Sequence, residues 1–308
     1  MKMTAKQSMS GVVLPRTSTA YQEEVSAQAV AAPQGYWRAA LPRYGVSVLL
    51  EKRAVAVNIG LSAALMAACV LYLSLGSVTL SPNAVVASLV GQGDSMTAFM
   101  VQQLRLPRLI AACFTGAAFA LAGVLMQTLA RNRLATPGII GIDNGATAFA
   151  VASIVGLGVG IAPPAMALAG ATTAAVLTFG LAAGSGTQGY RFIVAGIGVG
   201  AVFGAVTQLM LARVAIDTAN AAYPWTVGSL NARPASAVQL LGIGLALGLV
   251  AALALARSLT LLRFKDAIAS GLGTAVKARR LQVLLLSVVL TALAVAVAGP
   301  VGLVALIG

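Results

Sequence analysis

The side chains able to do chemistry in this sequence are few, and nearly all of them are cationic. Histidine is absent, and seven acids stand against twenty lysines and arginines. Without imidazole the commonest general base and metal ligand is missing. No G-x-x-x-x-G-K-[ST] phosphate loop is present and no carboxylates are paired at catalytic spacing, so the chain is expected to have no ATPase site, no catalytic residues and no resident cofactor or metal of its own. Cys69 and Cys113 each lie inside an apolar run and read as buried, unpaired thiols. Function must then rest on where the cations sit and on what holds them there.

With 59% hydrophobic and 9% charged residues, the 308-residue chain needs lipid as its solvent. A net charge of +13 raises the question of nucleic acid, but there is little aromatic interleaving to stack bases, and the charges collect in alternate loops. Apolar runs are expected to span the membrane at about residues 54–76, 109–130, 139–158, 165–183, 192–212, 237–256 and 281–298, with an eighth element opening at AGPVGLVALIG. Threaded this way, seven basic residues fall in the N-terminal tail, two at Arg131 and Arg133, one at Arg191 and six between Arg257 and Arg280, all on one side. Arg105, Arg108, Arg213 and Arg233 fall on the other. The bias follows the positive-inside rule with the N-terminus in the cytoplasm.

Residues 1–53 lack the apolar core of a signal peptide and are expected to form a disordered cytoplasmic tail; residues 54–308 are the transmembrane domain. Ser81-Pro82 signals a short helix that Gly91 stops. Asp143 and Asn144 lie in the first turns of the third span, where a carboxylate either caps the helix or lines a passage. Gly196, Gly200 and Gly204 form a small-xxx-small stripe on the fifth span, suited to close packing and to sliding or tilting. RSLTLLRFKDAIASGLGTAVKARR, between the sixth and seventh spans, reads as two short helices separated by Gly271-Leu272-Gly273.

The stretch RLPR (105–108), a Gly/Ala-rich span, and then MQ-x-L-x-RN-x-LA-x-PG-x-x-G-x-x-x-GA resembles the FecCD permease family, which carries iron–siderophore complexes, haem and vitamin B12 through type II ABC importers. The resemblance runs from about Val55 to the last residue. Arg133 stands where the family usually has proline, which alters the local turn. The resemblance implies an all-α polytopic membrane fold of the type II importer kind, with ten spans in the family against seven and the start of an eighth here; by that standard the chain is expected to be a C-terminally truncated or naturally short member.

The resemblance also assigns roles. Arg105 and Arg108 would dock a substrate-binding protein, periplasmic or lipid-anchored; interfacial snorkelling is the plain alternative. Ala269, Ser270, Gly271, Leu272 and Gly273 would form the coupling loop that grips a dimeric ATP-binding subunit. Gln188, Gly189, Tyr190 and Arg191 would form an inner gate. Gln127, Asn132, Asp143, Asn144 and the three stripe glycines would serve the pathway or its packing. A second permease copy or a close paralogue completes the assembly, in contact with membrane lipid and without nucleic acid. FIVAGIGVGAVFGAV and WTVGSLN lean toward ferric siderophore as the cargo, over vitamin B12 or haem. Any iron would travel wrapped in its chelator. The rival from another class is an ion-coupled secondary transporter, which calls for buried acids at the midplane. Asp143 is the one acid within a predicted span. A membrane scaffold without transport activity is the third reading.

Overall fold

The computed structural model describes residues 33–41, 46–156, 160–182, 190–231 and 233–307. They fall into two compact units divided after Val70, within the first long helix.

In the first unit, YWRAAL and VSVLLE are rich in aromatic and β-branched residues and form an antiparallel hairpin, β1 (Tyr36–Leu41) with β2 (Val46–Glu51), in the register Tyr36 opposite Glu51 to Leu41 opposite Val46. This corrects the expectation of an irregular tail over residues 36–51. β2 passes without a break into α1 (Lys52–Ser74), and the Lys52 amide donates to the Gly35 carbonyl at 2.9 Å. Nearly every side chain of α1 in this unit is exposed, although the segment is apolar on all faces. A helix apolar all round belongs in lipid.

The second unit begins with α2 (Pro82–Leu89), where the Ser81 hydroxyl accepts from the Ala84 amide at 3.2 Å and Pro82 sits in the first turn. Gly91 follows with φ +79°. A single long helix, α3 (Ser95–Ala130), comes next. It widens into a π-helical turn over Met100–Arg105 before continuing from Leu106. Its buried positions, Ala111, Thr115, Ala118, Phe119, Ala122, Leu125, Met126 and Leu129, recur every three or four residues and form one stripe. The helix stops at Arg131, which adopts φ 51° while its amide and that of Asn132 return to the last turn.

The third predicted span takes a different form. Residues Pro137–Ile140 make a 3-10 turn, Gly141 takes φ +79°, and α4 (Ile142–Val155) has 14 residues. At 1.5 Å per residue it is about 21 Å long, short of the ~30 Å hydrocarbon layer. The sequence run was long enough, but Pro137 and Gly141 use its beginning for a turn. α5 (Pro163–Leu181), α6 (Tyr190–Ala212), the short α7 (Ile216–Ala222) and α8 (Pro224–Val227), α9 (Ala235–Leu262), α10 (Asp266–Gly271), α11 (Val276–Ala298) and α12 (Gly302–Ile307) complete the order. Six helices among the described residues, α1, α3, α5, α6, α9 and α11, are long and apolar enough to cross a membrane.

α11 is the most enclosed of these six, and α3, α4, α5 and α9 pack around it. Its buried hydroxyls stay paired: Ser287 donates to the Ala122 carbonyl at 2.9 Å and Thr291 to that of Ser287 at 2.8 Å. Elsewhere small residues bring backbones together. The stripe on α6 is used only in part. A side chain at Gly196 would overlap the Ile139 carbonyl, Gly200 faces Asn144 and Gly141, and Gly204 has open space. Gly196→Ala is therefore expected to lower the melting temperature in detergent by several degrees and Gly204→Ala to leave it within about 1 °C; equal effects would remove the stripe's first half from the packing.

Candidate functional site

At the Arg105 end of α3 the two arginines of RLPR part company. The Arg105 guanidinium donates to the carbonyls of Leu73, at 2.7 Å, and Val78, at 2.5 Å, and so ties down the end of α1 and the turn after it. Arg108, one turn on, is exposed. It lines a cavity of about 510 Å3 together with Gln103, Phe114, Asn231, Arg233 and Gln239. The companion cation of Arg108 is thus Arg233. Its guanidinium lies 4.2 Å from the centre of the Trp225 ring and its Nε donates to the Ser229 carbonyl at 2.8 Å. Burial lowers the Arg233 pKa from its ordinary value. Trp225 is buried, and its carbonyl accepts from Thr147 at 3.2 Å, so α8 is locked to α4.

Sequence reasoning counted Arg233 among the outlying cations but did not single it out. The signal was its position eight residues after a tryptophan, at the start of a span.

Toward the Arg131 end of α3, Gln127 donates to the Leu306 carbonyl at 3.0 Å. Asn132 accepts from the Leu134 amide at 2.9 Å, forming a tight turn around Arg133. One carboxylate oxygen of Asp143 is sealed from solvent with no hydrogen-bond partner, and the other faces Gly138 and Gly302. Asn144 is directed at Gly200. Of the residues expected at an inner gate, Gln188 and Gly189 lie outside the described residues; Tyr190 and Arg191 start α6, with Arg191 exposed.

At the opposite end of α3, residues 257–280 hold one short helix, not two. α9 continues to Leu262, α10 covers Asp266–Gly271, and the chain enters the long α11 at Val276. Ala269 is fully buried, while Ser270, Gly271 and Leu272 are exposed and Gly273 turns the chain with φ +79°. Asp266 anchors this knob. It accepts from Arg131 at 2.7 Å and from both terminal nitrogens of Arg280 at 2.5 and 2.8 Å. Arg131 also donates its Nε to the Leu262 carbonyl at 2.9 Å. The three side chains clasp the end of α3, the start of α10 and the start of α11.

Hydrogen bonds from Arg280 and Arg131 hold the Asp266 carboxyl below its usual pKa. A lowered folded-state pKa contributes stability that is complete above the ordinary carboxylate range and is lost as pH falls through the depressed value. The clasp is expected to stay closed from about pH 5 to about pH 8, so melting curves over that interval should show no transition assignable to Asp266. Asp266 was missed in the sequence; a single acid within a run of six cations was the clue.

A bundle of long apolar helices around an enclosed central helix, with short helices at both ends, defines a multi-pass α-helical membrane protein. Residues 64–308 match the model of the FecCD transport family, and the chain belongs to that family. It is 35% identical over 248 residues to the ferric enterobactin transport system permease protein FepG of Escherichia coli (strain K12), covering 79% of this chain and 75% of that one. It is 36% identical over 245 residues to the achromobactin transport system permease protein CbrC of Dickeya dadantii (strain 3937), covering 79% and 70%. A solved metal-chelate type ABC transporter in an inward-facing conformation superposes with a TM-score of 0.71 at 26% identity, over 82% of this chain and 79% of that one.

Proposed function

We propose that this chain is the permease subunit of an ABC importer that carries a ferric siderophore across the inner membrane of a bacterium. The observation that carries the reading is family membership over residues 64–308, together with relatives that are named for enterobactin, achromobactin and ferric citrate transport. The permease has no ATPase site of its own, and a separate nucleotide-binding subunit supplies the power. It works with a second copy of itself or a close paralogue.

Arg108, with Arg233 beside it, is the side chain that meets the substrate-binding protein, because Arg105 is committed to two backbone carbonyls. α10 and Gly271-Leu272-Gly273 form the coupling element for the ATPase subunit, with the Asp266 clasp as its base. The N-terminus lies in the cytoplasm, in keeping with the distribution of cations along the chain. Tyr190 and Arg191, with Gln188 and Gly189, form the inner gate, and Gln127, Asn132, Asp143, Asn144, Gly196, Gly200 and Gly204 serve the pathway and its packing.

The test is reconstitution with the ATPase and binding proteins, measuring ATP-driven uptake of labelled ferric siderophore beside cobalamin and haem. Uptake of the ferric siderophore alone supports the reading. Uptake of cobalamin or haem in its place reassigns the cargo, and uptake driven by an ion gradient without ATP overturns the class. Arg108→Glu is expected to weaken capture of the binding protein at least tenfold with the melting temperature unchanged. Arg105→Gln should instead lower the melting temperature, since it releases the two carbonyls; loss of capture by Arg105→Gln alone would reverse the assignment.

A further inference from the structure

At the Arg131 end of α3 a second cavity, of about 330 Å3, is lined by Gln127, Thr128, Arg131, Asn132, Arg133 and Arg263. Three of its six lining residues are arginines and none is an acid. Of these arginines only Arg131 has an acidic partner among the described residues, Asp266, and that carboxylate is shared with Arg280. Arg133 and Arg263 are exposed and make no ion pair among the described residues. The cavity therefore brings two uncompensated guanidiniums and a third, half-committed one to one concave wall, with the hydroxyl of Thr128 and the amide of Asn132 as further donors. It lies where Leu106–Ala130, the 25-residue apolar part of α3, gives way to cations, the place along a membrane helix where headgroups are expected.

We propose that this cavity binds a phosphate-bearing anion, with an anionic phospholipid headgroup as the source that its position favours. Guanidinium forks match phosphate oxygens in pairs, and basic pockets between helix ends at the membrane edge take anionic headgroups. Arg133 completes the site: it occupies the place in the turn where proline would offer no charge. Because Arg131 both lines the cavity and holds Asp266, a bound phosphate sits beside the clasp under α10 and biases its geometry.

The full chain in detergent or nanodiscs is titrated separately with phosphatidylglycerol, phosphatidylcholine and inorganic phosphate, following the melting temperature and lipid retention in native mass spectra. Phosphatidylglycerol is expected to raise the melting temperature by roughly 5 °C at saturation and phosphatidylcholine to have no effect. The double substitution Arg133→Gln and Arg263→Gln should abolish the rise, and Arg213→Gln, at the other end of the bundle, should keep it. A rise with inorganic phosphate equal to that with lipid supports the anion site and names the free ion as its source. Equal responses to the two lipids, or a rise that survives the double substitution, overturns the proposal. So does loss of ATPase-subunit binding in the double variant with no response to phosphatidylglycerol, which would give the arginines to a protein partner. None of these readouts depends on which cargo is transported.

Discussion

Gly170→Ala is expected to destabilise the protein by about 3 kcal/mol or more, enough to abolish its accumulation as a folded membrane protein. Gly145 on α4 and Gly170 on α5 touch backbone to backbone. A Cβ on either glycine would overlap the other's carbonyl, and one on Gly170 would also press on Phe149. Flexible side chains can move aside, but two backbones fixed in their helices cannot, so the two helices must separate. The same separation would pull Thr178 from the Ile140 carbonyl, to which it donates at 2.9 Å within the buried core. Gly198→Ala is the matched control, because a Cβ there meets nothing within 4 Å. Thermal unfolding in detergent should separate the two variants clearly, and a Gly170→Ala protein as stable as the control would show that α4 and α5 do not pack as described.

Asp266→Asn is expected to leave ATP hydrolysis by the reconstituted complex largely intact while reducing uptake at least tenfold. The neutral side chain keeps its size but loses two charge-assisted contacts, and it leaves the buried Arg280 guanidinium without its counter-charge. The expected loss of stability is modest, roughly 1–2 kcal/mol, because Asp266 is itself half exposed. On the proposed coupling role of α10, the loss of transport is larger, because the clasp is what ties α10 to α3 and α11. Charge exchange supplies a further check: Asp266→Arg with Arg131→Asp should restore part of the uptake. Uptake and hydrolysis falling in parallel for Asp266→Asn would mean that the residue acts on ATPase binding and not on transmission.

The fold was legible where hydrophobic runs and local breaks speak directly. The Ser81-Pro82 start of α2, the 109–130 part of α3 with its end at Arg131, and the bodies of α5, α6, α9 and α11 follow from run length and helix-terminating residues, whereas the continuation of α3 back to Ser95 was not read. What misled was run length used alone. Ile139 to Gly158 has the apolarity of a span, but Pro137 and Gly141 bend its beginning into a turn and leave α4 short. The β1–β2 hairpin was hidden by the polar residues around it. At the candidate site, sequence spacing placed Arg105 and Arg108 side by side, yet one is consumed by backbone carbonyls and the other faces a cavity. Partners 125 or more residues away, such as Arg233 for Arg108 and Asp266 for Arg131, cannot be read from spacing, because only tertiary packing brings them together.

The enclosed position of α11 bears on how the protein is made. The ribosome delivers α3, α4, α5 and α9 before the helix they surround, so α4 and α5 can already pair through Gly145 and Gly170 while the faces that meet α11 stay uncovered until it arrives. Closure of the bundle around its centre is therefore a late event, set off by arrival of a single hydrophobic rod. Substitutions on that rod, at Leu284 or Leu290 for example, should leave the earlier helices around an unfilled centre, a ready target for membrane quality-control proteases.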